Sequence, residues 1–235
     1  MIGSGEKTAW DNIKDFFITQ VVPPIDELQR LIPDSLLFGS IVLFLITSNL
    51  SFGVFSFFLV ESSIAHKLIG FVFNKAVGES KPSTTPDKLL KCHPGFHSHR
   101  FQFERIFTMH SYPSFAVFSL ISIATYIGAA MTSFRETLKT MGSDWEVRYN
   151  IAIGFIMAVV ALFVLWRYKR SCESGGEIGV AAIFGAVVGL GLFFLNKLLF
   201  GADGMNFLGL PNLVEKQDTG EAIYVCTPSA AASSQ

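Results

Sequence analysis

The segment 36–60 holds 25 consecutive residues, LLFGSIVLFLITSNLSFGVFSFFLV, without one charged side chain. An α-helix rises about 1.5 Å per residue, so roughly 20 apolar residues cross the hydrocarbon core of a bilayer. The segment is therefore predicted to be a transmembrane helix. Every other part of the chain is then a further span, a loop or a tail.

Three more stretches satisfy the same rule, at about 112–131, 150–166 and 178–200. The composition agrees, because 50% of the 235 residues are hydrophobic and only 16% are charged, whereas soluble domains have about 25% charged residues. The predicted fold is an all-α membrane protein with four transmembrane helices. A net charge of −1 gives no bulk attraction to nucleic acid, and no such partner is expected.

These spans divide the chain into three parts. Residues 1–35 form an N-terminal arm with amphipathic helices, and residues 36–200 form the membrane domain with a long polar loop at 61–111. Residues 201–235 form a C-terminal tail that is predicted to be partly ordered. The three cysteines lie far apart in this order, which argues against a disulfide framework.

Apolar residues recur at helical spacing in the arm, and Trp10 and Phe17 are the largest of them. This helix is predicted to lie on the membrane surface, on a partner or over the end of the bundle. A second short helix is expected before the first span. The predicted breaks are Pro23-Pro24, which ends the first helix, and Asp34-Ser35, which caps the first span.

Small and polar side chains inside the spans predict where helices meet. Gly185 and Gly189 form a GxxxG step that lets another backbone approach the fourth span closely. Asn49 is expected to hydrogen-bond to a neighbouring helix, because a buried amide without a partner is costly. The predicted span interiors hold no charge, and Lys197 lies at an end, which argues against ion-coupled transport. A small oligomeric channel formed through the glycine face stays an alternative.

Four of the five histidines fall between residues 93 and 110. Cys92, His93, His97 and His99 are side chains of the kind that bind zinc or copper. Their spacing matches no standard zinc module, so neither a metal nor a cofactor is predicted. A metal-binding protein or enzyme that uses these four residues and His110 is the alternative function.

The run His110-Ser-Tyr-Pro-Ser114 is similar to part of the signature of membrane lipid phosphatases. The match fails at Phe115 and Ala116, which occupy the positions of the signature's Gly and His. No histidine follows His110, so the nucleophile that covalent phosphoryl transfer requires has no candidate. The chain is therefore predicted not to be an enzyme.

The tail contains an apolar segment, 204–214, and a strand-like run, 221–226. Pieces of this kind, directly after a membrane span, pack on the membrane surface or dock against a partner strand. The residues predicted to bind partners are Phe207, Leu210 and Tyr224 of the tail and Trp10 and Phe17 of the arm.

Together with the four spans and the HSYPS run before the second one, this tail resembles membrane-embedded virion proteins of the large icosahedral DNA viruses of algae and their relatives. The resemblance covers about residues 110–226. It implies a structural, minor-capsid role in which the protein ties the inner membrane of the virion to the capsid lattice. The expected partners are the lipid bilayer, capsid or other membrane-assembly proteins, and further copies of the chain.

Four spans would place both termini on the same side of the membrane. The long loop and the turn after the third span then hold ten Lys and Arg residues, against eight on the terminal side. Because cytoplasmic loops are usually the more basic, the long loop is predicted to face the cytosol, by a narrow margin.

Overall fold

The structure, a computed structural model, describes residues 10, 15–77, 112–140, 143–169, 173–206, 212–215 and 222–225. Its helices are α1 (Val22–Thr47), α2 (Leu50–Val77), α3 (Phe115–Ser133), α4 (Arg135–Thr140), α5 (Ser143–Lys169) and α6 (Gly175–Gly204). A π-helical turn, Phe17–Val21, precedes α1. Two tail strands, β1 (Asn212–Glu215) and β2 (Ala222–Val225), pair antiparallel.

Four helices are long and apolar enough to cross a membrane, and the predicted all-α fold with four spans is confirmed. They are Leu50–Phe73, Phe115–Ser133, Ser143–Lys169 and Gly175–Gly201. The last three correspond to the second, third and fourth predicted spans. The first does not, since it begins 14 residues later than the prediction and ends beyond residue 60.

The predicted single helix over 36–60 is wrong, because the chain turns back at Ser48 and Asn49. Ser48 adopts a left-handed conformation with φ 53°, and its N–H donates to the carbonyl of Phe44 at 2.8 Å. The Asn49 side chain then begins α2 by accepting from the N–H of Ser51 at 3.0 Å. Short polar side chains compete for backbone hydrogen bonds, so they favour caps and turns over helix interiors.

The two helices on either side of this turn form an antiparallel hairpin. The hydroxyl of Ser56 on α2 donates to that of Ser40 on α1 at 2.8 Å, although the two residues are 16 positions apart. Nearer the turn, Gly53 lies against the ring of Phe44. Residues 61–77, predicted to be loop, therefore belong to a membrane helix.

The predicted breaks in the arm are also corrected. Pro23 and Pro24 lie at the start of α1, where a missing N–H leaves no helical bond unmade, so they begin a helix instead of ending one. The helix then continues through Asp34 and Ser35, which therefore cap nothing. The Ser35 hydroxyl donates to the carbonyl of Ile32 one turn earlier.

Helix α3 lies at the centre of the bundle, with 56% of its span buried against 6% for α5. Contacts along their lengths show that α6 runs parallel to α3, whereas α2 and α5 run antiparallel to it. The rings of Phe58 and Tyr126 stack in the core with centroids 3.8 Å apart. Helix α6 bends at Gly201 (φ 72°), which brings Met205 back against this core.

Candidate functional site

A line of polar side chains runs along α2 inside the bundle, and each contacts a different neighbour. They are Ser56, which faces α1, Glu61, which faces α6, Ser62, which faces α3, and His66, which faces the segment before α3. Glu61 is the twelfth of the 24 residues in the span Leu50–Phe73. The prediction that the span interiors hold no charge is therefore wrong.

The centre of this line is a group of three side chains, Glu61, Asn196 and Tyr126, which we term the carboxyl cluster. Asn196, wholly buried on α6, donates from Nδ2 to Glu61 Oε2 at 3.0 Å and to the Tyr126 hydroxyl at 3.4 Å. The Tyr126 hydroxyl donates in turn to Met205 Sδ at 3.6 Å. Three helices thus converge on one carboxyl group within the membrane.

The other polar atom of the Asn196 amide is not used in this arrangement. Its Oδ1 is buried and has no hydrogen-bond partner among the described residues. A buried carbonyl oxygen normally accepts at least one hydrogen bond, so an unsatisfied one marks a functional or strained position. The carboxyl cluster therefore contains one unused hydrogen-bond acceptor, Asn196 Oδ1, in addition to the carboxyl group.

His66 lies nearer the loop end of α2 and is also wholly buried. Its Nε2 lies 2.8 Å from the carbonyl oxygen of Pro113, which only accepts, so Nε2 is the protonated nitrogen. Its Nδ1 has no hydrogen-bond partner within the part of the chain that the structure describes. The rings of Phe115 and Phe118 pack around it, at centroid distances of 5.0 and 4.8 Å. His66 thus joins α2 to the start of α3.

Paired serines complete the line. Ser62 Oγ on α2 and Ser122 Oγ on α3 lie 3.1 Å apart and are buried. Hydroxyl pairs of this kind hydrogen-bond helices together in a bilayer, where the gain is about 0.6 kcal/mol per bond on average. The pair fixes the register of α2 against α3 directly beside Glu61.

A second polar group closes the loop end of the bundle. The Arg167 guanidinium on α5 donates from Nε to both carboxylate oxygens of Glu173 at 2.9 Å. Glu173 also accepts from the hydroxyl of Ser114 at 2.6 Å, and Ser114 caps α3 by accepting from the N–H of Val117. This ion pair is buried, and its charges face each other. It therefore joins the turn between α5 and α6 to the first turn of α3.

The two predicted packing glycines lie at the interface between α6 and α3. A Cβ on Gly185 would lie 2.7 Å from the carbonyl oxygen of Phe118, and one on Gly189 would overlap that of Ser122. The two backbones are thus too close for any side chain. Asn49, in contrast, caps its own helix α2, and the predicted bond to a neighbouring helix is wrong for this side chain.

The predicted partner-binding residues are only partly within the described structure. Trp10 is 72% exposed, Phe17 lies in the π-helical turn, and Tyr224 lies in β2 opposite Leu213 of β1. The remaining predicted residues lie outside the described residues: Phe207, Leu210, Cys92, His93, His97, His99 and His110. Within the described ranges, no group of three or more His, Cys, Asp or Glu side chains is placed to hold a metal ion.

The sequence analysis did not predict the carboxyl cluster, because it ended the first span at residue 60. A span ending at residue 60 places Glu61 in the polar loop, whereas the window Leu50–Phe73 has Glu61 at its centre. The signal that would have found it is the run Thr47-Ser48-Asn49, which is rich in residues that cap helices.

Comparison with known proteins returned no relative. No protein-family model matches the chain, no curated protein matches it, and no solved structure matches its fold.

Proposed function

We propose that this chain is a structural membrane anchor. A helical bundle is fixed in a bilayer, and its arm, long loop and tail hold the proteins of a larger assembly. The observation that carries the proposal is the hairpin of α1 and α2, because it places the arm and the long loop on one face of the membrane and leaves the tail on the other. A capsid lattice is the assembly that the resemblance to virion proteins favours, and the proposal includes no catalytic step.

Helix α1 extends along most of the bundle, which supports a fifth crossing. Near its middle, Ile32 packs against Ala116, Leu120 and Phe163, at the loop end of α3. Its last residue, Thr47, lies at the turn of the hairpin, at the opposite end. Its apolar part, Asp34–Thr47, is shorter than a full span. One side of that part is covered by α2, which reduces its contact with lipid.

With a fifth crossing, the arm lies on the same side as the long loop, and the tail lies on the other. Lys7, Lys14 and Arg30 of the arm then join the cations of the loop. The count becomes thirteen Lys and Arg on the loop side against five on the tail side, in place of ten against eight. This bias is strong, and it favours a cytosolic arm and loop with a tail on the opposite face.

The packing of the bundle suits an anchor. Glycine contacts hold α6 on α3, and the buried ion pair of Arg167 with Glu173 holds the turn before α6. Helix α5 presents large apolar side chains outward, including Phe155 at 68% exposed and Leu162 at 68% exposed. Such a surface fits hydrocarbon, which needs no polar partner.

Protease protection in sealed vesicles tests the sidedness. An epitope tag before Met1 and a second tag after Gln235 should be cut from opposite sides of the membrane. A tag inserted in the loop 78–111 should be cut together with the N-terminal one. Cleavage of both terminal tags from the same side would contradict the fifth crossing.

Truncation tests the anchoring role. A chain that ends at Asn206 keeps Met205, which is 1% exposed and packs against the core, so the bundle should still insert. This truncated chain should stay in the membrane and lose co-purification with a large assembly. If a chain without both the tail and the arm before residue 15 retained full co-purification, the anchoring proposal would fail.

A further inference from the structure

We propose that the carboxyl cluster is a proton-binding site within the membrane-spanning part of the bundle. Glu61 takes up the proton, Asn196 hydrogen-bonds to it in both protonation states, and Tyr126 hydrogen-bonds to Asn196. This inference goes beyond the anchoring role and does not depend on it, since it rests on three side chains inside the bundle.

The position of Glu61 favours binding of a proton. It lies halfway along its span, and it is partly covered by α6. An ionised carboxylate at this depth is unfavourable unless a cation or several donors compensate its charge. Among the described residues, its hydrogen-bond donor is the amide of Asn196, and no ion pair forms there. A bound proton converts the carboxylate into a neutral carboxylic acid.

The other ionisable groups near the cluster do not supply a counter-charge. Tyr126 contributes a neutral hydroxyl from α3. Lys197 follows Asn196 on α6, but its Nζ lies over the ring of Phe193, 5.8 Å from the centroid. On α2 itself, His66 donates to the carbonyl of Pro113, and α1 contributes the half-buried acid Asp34.

The amide of Asn196 is suited to both forms of Glu61. The structure places Nδ2 3.0 Å from Glu61 Oε2, which is the arrangement that suits an ionised carboxylate. With Glu61 protonated, a half-turn of the amide places Oδ1 where the carboxylic O–H donates to it. The turn breaks no hydrogen bond of Oδ1, because this buried atom has no partner among the described residues. The Tyr126 hydroxyl either accepts from Nδ2 or donates to Oδ1, so it fits both orientations.

The carboxylate of Glu173 shows the contrasting arrangement within the same molecule. Both of its oxygens accept from the Arg167 guanidinium, and a third donor comes from Ser114. That carboxylate faces a fixed cation. Glu61 faces the Asn196 amide in place of a cation, and this amide can either donate to the carboxyl group or accept from it. Such a partner is expected at a site that gains and loses a proton.

Carbodiimide labelling of the purified protein in lipid vesicles tests the proposal. The lipid-soluble reagent dicyclohexylcarbodiimide adds a protonated carboxyl across one C=N bond, and the O-acylurea rearranges to a stable N-acylurea with no group lost. The Glu61 peptide should therefore gain the mass of one reagent molecule. A water-soluble carbodiimide, with an added amine, should modify Glu136 instead, whose side chain is 84% exposed.

Variants and pH make the test specific to proton binding. Glu61→Gln should lose the label, and labelling of the wild type should fall as the pH rises. Asn196→Leu removes the donor that favours the ionised form, so labelling should persist to higher pH. The proposal is overturned if Glu61 stays unlabelled throughout an acidic-to-basic series, or if only the water-soluble reagent modifies it. If added Na⁺ prevented labelling of Glu61, the site would bind Na⁺, and the proposal that its ligand is a proton would fail.

Discussion

The two main faces of α3 meet their neighbours in opposite ways. Against α6, Gly185 and Gly189 bring the backbones so close that no side chain fits between them. Against α2, the contact is made by side chains, with the Ser62 and Ser122 hydroxyls 3.1 Å apart. The contact with α6 depends on residues that have no side chain, whereas the contact with α2 depends on a hydrogen bond between two side chains. The first contact has no room for an added atom, and the second is lost when either hydroxyl is removed.

The largest expected effect is on the glycine face. Gly189→Ala inserts a methyl group into the carbonyl of Ser122, so α6 must move away from α3. Overpacking of this kind costs about 1–3 kcal/mol. Reversible unfolding of the protein in mixed micelles should show this loss in the free energy of unfolding.

The matched control is Gly191→Ala on the same helix. A Cβ there meets nothing within 4 Å, so the variant should be neutral or gain slightly from the better helix propensity of alanine. Equal losses from Gly189→Ala and Gly191→Ala would show that the close approach of α6 to α3 at Gly189 does not explain the first result.

A smaller effect is expected at the carboxyl cluster. Asn196→Leu removes the hydrogen bonds to Glu61 and Tyr126 and leaves a half-buried carboxyl without its donor. The free energy of unfolding should fall by about 1–2 kcal/mol, and the fall should be larger at high pH, where Glu61 is ionised. A loss that is the same at every pH would contradict the link between Asn196 and the carboxyl group.

The smallest effect is expected at the paired serines. Ser62→Ala and Ser122→Ala should each lower the free energy of unfolding by about 0.6 kcal/mol, the average for hydrogen bonds between membrane helices. The double variant should lose no more than either single variant, because both changes remove the same bond. Additive losses in a double-mutant cycle would show that the two hydroxyls act separately.

Hydropathy and small-residue spacing were enough to predict the fold class and the glycine step. A run of apolar residues long enough for a bilayer leaves few alternatives, and GxxxG has a direct steric meaning. The hairpin was not predicted, because its turn contains no charged residue. The mean hydropathy of a window that includes the turn therefore stays close to that of a continuous span. Asn49 was predicted to hydrogen-bond to a neighbouring helix, whereas Thr47, Ser48 and Asn49 cap the two helices that meet there.

The rest of the site depends on three-dimensional arrangement. Helices α3 and α5 are both strongly apolar, yet 56% of one span and 6% of the other are buried. Nothing in composition alone distinguishes them. Asn196 is 135 positions from its partner Glu61 and 70 positions from its partner Tyr126, so no local pattern connects the three.

Disulfide formation between cysteines introduced at Ser40 and Ser56 tests the hairpin, on which both proposals depend. The three native cysteines are first replaced by serine, and Ser40→Cys with Phe57→Cys, one position further, serves as the control pair. One continuous helix would separate positions 40 and 56 by about 24 Å, whereas the structure places the two hydroxyls 2.8 Å apart. Rapid, efficient cross-linking of the first pair is the predicted result. No cross-link in an inserted, folded protein would contradict the hairpin.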